Sequence, residues 1–242
     1  MQRVTKNELQ SLKLLHSKKG RETEGLFLVE GPKMVKEALE NQEICIEKLL
    51  FSAPLEFGPI PTHLPQFHVS PSEMERISTM KTPPSAMAVC RIPSYKTPSG
   101  PRILCLDGIQ DPGNLGSIIR IADWFGISGI VLSHECADAY NSKTVQSTMG
   151  SIFRVSLWYT ALEEYLKTTT LPIYGALLDG QSIANNFIPK EAILLIGSEG
   201  NGISKELLPC IHHAISIPRF GHAESLNAAI ACGILCAKWN GI

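Results

Sequence analysis

From residue 102 onward, short apolar runs alternate with helical patterns, and this alternation restricts the fold more than any other feature of the sequence. Runs at 102–107, 129–133, 154–158, 172–178, 192–197 and 213–217 have the length of strands. Between them, 114–125, 141–149, 160–168, 203–209 and 225–239 read as helices. Apolar strands joined by helices predict a mostly parallel sheet covered on both faces. Ligands of such sheets gather at the loops leaving the carboxyl ends of strands. The unusual loops of this chain fall at those positions.

A boundary precedes this region. Residues 91–101 read Arg-Ile-Pro-Ser-Tyr-Lys-Thr-Pro-Ser-Gly-Pro, a stretch of turn formers and polar residues that predicts a linker. We therefore divide the chain into a domain over 1–92, a linker over 93–101 and a domain over 102–242. In the first part, Leu9, Leu12 and Leu15 are spaced as on a helix over 7–16, and 26–29 reads as a strand. Pro32 stands at a plausible first helical position ahead of Met34, Val35, Ala38 and Leu39. Residues 46–51 predict a strand, Ser70-Pro71-Ser72-Glu73 a capping box opening a short helix, and 86–92 a closing strand. These elements make a small α/β unit.

The formal net charge of −1 excludes a chain-wide basic surface, so affinity for a polyanion must come from a local patch. Residues 1–21 supply one candidate: Arg3, Lys6, Lys13, Lys18, Lys19 and Arg21 face a lone Glu8, although a solvated helix face would look the same. The seven cysteines are scattered, several within apolar runs, as expected of reduced thiols in a cytoplasmic protein. Neither a signal peptide nor a long apolar span is read, so secretion and membrane insertion are not expected.

Three loop–helix segments carry polar residues that packing alone does not require. In Leu106-Asp107-Gly108-Ile109-Gln110-Asp111-Pro112-Gly113-Asn114, a strand ends in a turn rich in helix starters, and Arg120 follows between apolar neighbours. A cleft or buried arginine there needs an anionic partner; a capping Asn with a structural ion pair is the plain alternative. In Gly197-Ser198-Glu199-Gly200-Asn201-Gly202, glycines open a loop after an apolar strand and allow a ligand to approach the backbone. The spacing is not that of the dinucleotide fingerprint, and the Lys-Ser/Thr of a P-loop is missing. In Pro218-Arg219-Phe220-Gly221-His222-Ala223-Glu224-Ser225-Leu226-Asn227, a polar loop leads into a small-residue helix, with Ser225 a natural N-cap.

The stretches DPGNLGSIIRIAD, LLIGSEGNGIS and IPRFGHAESLNAAIA, in this order, resemble the SpoU (TrmH-like) family of RNA 2′-O-ribose methyltransferases, members of the SPOUT superfamily. The resemblance covers about 102–242. Residues 5–90, with LQSLKLLHSKKGR and LFLVEGPKMVKEAL, resemble the family's L30e-like RNA-binding domain. The resemblance implies an α/β protein: a C-terminal trefoil-knotted parallel-sheet domain, preceded by a small L30e-like domain. It implies S-adenosylmethionine as cofactor, rRNA or tRNA as substrate and a homodimer as the active form. By motif, the catalytic set falls on Asn114, Arg120, Glu199, Ser225 and Asn227. Cofactor contacts fall on Leu177, Gly197, Ile217 and Leu226, and RNA contacts on Lys18, Lys19 and Arg21. Ile121 stands where the family usually has threonine, Ala228 and Ala229 replace a usual Val-Ser, and Arg219 occupies a site often given to methionine. Two other functions stay open at this point: a catalytically silent RNA-binding or ribosome-assembly protein, and a nucleotide-cofactor oxidoreductase, which the glycine spacing disfavours.

Overall fold

A computed structural model describes residues 2–54, 60–94, 97–184 and 188–242. The chain divides into two compact units, Met1–Ser94 with Asp138–Phe153, and Tyr95–Ala137 with Arg154–Ile242. Elements in chain order are β1 (Gln2–Arg3), α1 (Lys6–Leu14), α2 (Lys18–Glu24), β2 (Leu26–Glu30), α3 (Pro32–Glu40), β3 (Ile46–Phe51), β4 (Gln66–His68), α4 (Pro71–Ile77) and β5 (Ala86–Arg91). There follow β6 (Arg102–Asp107), α5 (Pro112–Trp124), β7 (Gly129–Leu132), α6 (Ser142–Thr148), β8 (Leu157–Tyr159) and α7 (Leu162–Thr168). The last are β9 (Ile173–Ser182), β10 (Ala192–Gly197), β11 (His213–Ser216) and α8 (Ala228–Trp239).

The first unit is built on a mixed sheet in the order β1-β4-β3-β5-β2. Strand β5 runs antiparallel to both β2 and β3, whereas β4 is parallel to β3 and β1. Two helices open on complete capping boxes, Thr5 with Glu8 and Ser70 with Glu73, in which side chain and backbone satisfy each other's otherwise unpaired N–H groups. The hydrogen bonds to Thr5 and to Ser70 hold the Glu8 and Glu73 carboxyls below the usual carboxylate range. Leu50, Met74, Ile77 and Met87 are fully buried between sheet and helices. Each such side chain contributes roughly 1.5–3 kcal/mol of burial.

Segment Asp138–Phe153 packs with this first unit, although it follows the linker in sequence and was assigned to 102–242. The reason is a set of tertiary bonds. The Arg21 guanidinium is 3% exposed and grips the Asp138 carboxylate through Nε at 2.9 Å and a second nitrogen at 2.6 Å. Its remaining nitrogen donates to the carbonyls of Leu15 and His16. Gln146 donates to the Glu30 carbonyl, Asn41 to the Phe153 carbonyl, and the Tyr140 ring packs at a tilt against Phe27. Arg21 is therefore withdrawn from the residues expected to face RNA: each of its three side-chain nitrogens donates internally. Lys18 and Lys19, on α2, are exposed.

The second unit has a fully parallel sheet in the order β11-β9-β10-β6-β7-β8. Ile103, Leu104, Cys105, Leu106, Ile193, Leu194 and Leu195 are buried at its centre. Helix α8 packs on α5 and β10. Gly233 faces Ile121 of α5, where a Cβ would make an ordinary contact at 3.6 Å. The helix expected over 225–239 starts at Ala228, with Asn227 rather than Ser225 as its N-cap. It is also not buried all round: Ile230 and Ile234 are 56% and 38% exposed. The helix expected over 203–209 does not form. Ser204 gives its N–H to Asp107, Pro209 has none to give, and the chain closes three-residue turns ending in a short 3-10 helix over Leu208–Cys210.

Candidate active site

The three polar segments follow the carboxyl ends of the central strands β6 and β10 and of the edge strand β11. Strands β6 and β10 pair over their whole length, so Asp107 and Gly197 stand side by side where the strands end. After Asp107 the chain turns through Gly108 at φ +65°, a conformation that suits glycine. Gly108 N–H donates to Ser133 Oγ, Ile109 N–H to Cys136 Sγ, and the Cys136 thiol to the Leu106 carbonyl. Burial pushes that thiol upward, so it serves as a neutral brace. The Asp111 side chain then caps α5 by accepting the Asn114 N–H at 2.9 Å, and Pro112 fills the first helical position. These constraints fix Asn114 in the first turn of α5.

The glycine loop after β10 folds back on itself. Ser198 and Gly202 exchange both backbone hydrogen bonds, at 3.1 and 2.9 Å. Gly197 lies against this closure so closely that a Cβ there would sit 2.1 Å from the Gly202 carbonyl carbon. The Asp107 carboxylate accepts the Ser204 N–H at 2.7 Å and ties the far end of the loop to β6. The fold thereby presents Glu199 to α5, where Asn114 Nδ2 donates to Glu199 Oε1. Asn227 completes the array: its Nδ2 donates to Asn114 Oδ1 at 2.9 Å, while its Oδ1 accepts the N–H groups of Ala229 and Ile230 at 3.0 and 3.2 Å. A single directed chain of hydrogen bonds thus runs from the amino terminus of α8, through Asn227 and Asn114, to the Glu199 carboxylate. Each amide has only one orientation compatible with it.

Arg120 and Ser225 are not drawn into this array among the described residues. Arg120 lies exposed on α5, nearly two turns beyond Asn114, with no internal hydrogen bond or ion pair among the described residues. Arg120 is thus not the buried arginine with an anionic partner that its apolar neighbours suggest, because Ile118 and Ile119 are buried in the core and leave Arg120 on the exposed side of the helix. Ser225 is exposed in the loop before α8, and Arg219 in the same loop donates to the Ala223 carbonyl at 3.4 Å.

The four residues expected to touch a cofactor fall near one another in the topology. Leu177 lies midway along β9, beyond its pairing with β10, Gly197 ends β10, Ile217 follows β11, and Leu226 precedes α8; β9 stands between β10 and β11 in the sheet. Strand β9 leaves its ladder with β11 between Gly175, opposite Ala214, and Gln181, opposite Ile215. Leu177 rides on that excursion. Gly180 is required there, since a Cβ would meet the Ile215 backbone at 2.6 Å. Two cavities adjoin these loops. One of about 460 Å³ is lined by the glycine loop with Asp107, Gln110 and Glu135. The other, of about 430 Å³, is apolar and lined by Ile183, Ile217, Pro218, Phe220 and Ile234. Asp107, Ser133 and Cys136 had not been singled out as supports; only the strand-end position of Asp107 hinted at its role.

Comparison with known proteins gives this geometry a context. Residues 101–237 match the SpoU rRNA Methylase family, and residues 6–88 match the MRM3-like substrate binding domain. A 23S rRNA (guanosine(2553)-2′-O)-methyltransferase of Bacillus subtilis is 34% identical over 95% of this chain and 94% of its own length. A TrmH-family structure from Porphyromonas gingivalis superposes with a TM-score of 0.87 at 38% identity, covering 98% of both chains. An AdoMet-bound rRNA methyltransferase from Sinorhizobium meliloti superposes with a TM-score of 0.86 at 27% identity, covering 100% of this chain and 97% of the other.

Proposed function

The chain belongs to the SpoU rRNA methylase family, and from that membership we propose that it transfers the methyl group of S-adenosylmethionine to a ribose 2′-hydroxyl of RNA, with rRNA as the substrate class. The observation that carries this reading is the hydrogen-bonded array that joins Glu199 of the glycine loop and Asn227 at the start of α8 to Asn114 on α5, the helix that also presents an uncommitted Arg120.

The residues present fit the cofactor. Gly200 and Gly202 leave open space beside the loop backbone, and Leu177 and Ile217 offer partly exposed apolar side chains. We assign Leu177, Gly197, Ile217 and Leu226 to holding it. When bound, S-adenosylmethionine supplies a methyl group on a sulfonium, whose positive charge is lost as the methyl leaves. The chain's own residues must present the ribose oxygen and accommodate the charge that develops on it. An arginine guanidinium donates hydrogen bonds and is no proton acceptor. We therefore assign Arg120 to the phosphate beside the target ribose and to the developing alkoxide, with the hydroxyl proton passing to that phosphate or to water. Asn114 and Asn227 position the reacting groups, Glu199 fixes the orientation of Asn114, and Ser225 contributes from the same loop as Leu226.

The rest of the proposal concerns assembly. The N-terminal unit supplies RNA affinity through exposed basic residues including Lys18 and Lys19, an affinity that falls with salt. The C-terminal half forms the trefoil knot of its family. The active species is a cytoplasmic homodimer joined through the exposed Ile230 and Ile234 of α8. Among the described residues, no helix is long and apolar enough to cross a membrane. Calorimetry tests the cofactor assignment: one S-adenosylhomocysteine site per chain is expected and none for NAD. Tight NAD binding without S-adenosylhomocysteine binding would overturn it.

A further inference from the structure

Helix α5 carries an exposed aromatic residue that the reaction outlined above does not use. Trp124 is 83% exposed, and it makes no ring contact among the described residues. It differs in this from Trp158, which packs on the core and edge-on against Tyr165, and from Trp239, which is buried and donates to the Pro189 carbonyl at 2.7 Å. Trp124 follows Arg120 by four residues, so the two share one face of the helix with Cβ atoms about 5–6 Å apart. The buried positions Leu115, Ile118, Ile119 and Ala122 lie on the other side. Asp123, next to Trp124 in the chain, is paired with Arg154 at 2.9 Å. The surface around Trp124 is therefore a flat indole next to an uncommitted guanidinium.

We propose that Trp124 is a stacking platform for the base of an unpaired nucleotide adjoining the methylated one. The proposal rests on the reading of the site as an RNA 2′-O-methyltransferase. Along α5, Asn114, Arg120 and Trp124 come in that order, and Trp124 lies about 6 Å beyond Arg120 along the axis. With the target ribose at Asn114 and Glu199 and its phosphate on Arg120, the neighbouring base falls against the indole. A base reaches an aromatic face only when it is free of a duplex, so the target lies in a single-stranded segment. Stacking tolerates any base, because each has a π face; the site therefore favours an unpaired strand over any particular sequence.

The tryptophan inventory provides the test. The chain has three tryptophans, and Trp124 is the one open to solvent. Titrating the full-length protein with a short single-stranded oligoadenylate should quench its emission, and the same strand annealed to oligouridylate should quench it much less. Trp124→Ala should abolish the quenching and weaken oligoadenylate binding about tenfold, while Trp124→Phe should stay within a few-fold of wild type. S-adenosylhomocysteine affinity and the oligomeric state should not change in either variant. Unchanged oligoadenylate affinity in Trp124→Ala would overturn the proposal, and so would dissociation of a dimer, which would place Trp124 between copies of the chain. If wild-type protein binds RNA with quenching but transfers no methyl group, the enzymatic reading fails and the stacking platform stands. If wild type methylates RNA and Trp124→Ala binds and methylates equally well, the platform alone fails.

Discussion

The tightest backbone approach in the candidate site is at Gly197, and replacing it by alanine has consequences that follow from distances. The added Cβ would sit 2.1 Å from the Gly202 carbonyl carbon, 2.2 Å from its oxygen and 2.3 Å from the Ile203 nitrogen. All three are backbone atoms, and ordinary carbon contacts lie at about 3.5–4.0 Å. The glycine loop must therefore move by roughly 1 Å or more. It is held by the paired bonds of Ser198 and Gly202 and by Ser204 N–H on Asp107, so it either keeps the clash or gives up bonds. Overpacking of this kind costs about 1–3 kcal/mol, a fall in Tm of roughly 2–12 °C for a chain of this size. Glu199 moves with the loop, away from Asn114, and a misplacement of about 1 Å costs on the order of 100-fold in rate. Gly200→Ala is the control for stability, because a Cβ there meets nothing of the protein within 4 Å. Thermal melting, calorimetry with S-adenosylhomocysteine and single-turnover methyl transfer on both variants check the reasoning. A Gly197→Ala protein that melts like Gly200→Ala and binds and turns over like wild type would refute it.

Two further predictions concern stability and assembly. Arg21→Ala strands the largely buried Asp138 carboxylate and two carbonyls, and breaking such a pair costs about 3–5 kcal/mol; melting should fall by roughly 6 °C or more, and an unchanged Tm would show that Asp138 is solvated. Ile234→Glu puts a charge into the exposed apolar face of α8, so light scattering should show wild-type dimers and mutant monomers; a monomeric wild type would remove the proposed interface.

Some of this molecule is written locally in its sequence. The capping boxes at Thr5 and Ser70, Pro32 at a helix start and the apolar strands of the parallel sheet are short-range patterns, and each appears where its chemistry places it. Helix α2 escapes such reading because Lys18 to Glu24 has no apolar period. It is held by its Ser17 cap, by Gly25 in the left-handed region and by the buried Arg21–Asp138 pair, which spans 117 residues of sequence. Arg21 read as one more surface cation for the same reason. The site residues were nameable because three motifs recur together in a known family. Their arrangement was not: the bond from Asn114 to Glu199 joins positions 85 residues apart, and the exposure of Arg120 depends on which face of α5 turns inward.

We propose that this chain methylates a ribose oxygen with Arg120 as the charged partner of the RNA. Incubating the protein with ribosomal RNA and S-adenosylmethionine labelled in its methyl group, then digesting the RNA to nucleosides, measures this most directly. All label should appear in a 2′-O-methylated nucleoside. Arg120→Ala should reduce the single-turnover rate by roughly 100-fold or more, with S-adenosylhomocysteine affinity held within a few-fold and Tm unchanged. Label on a base, no label at all, or an Arg120→Ala enzyme that keeps the wild-type rate would contradict the account.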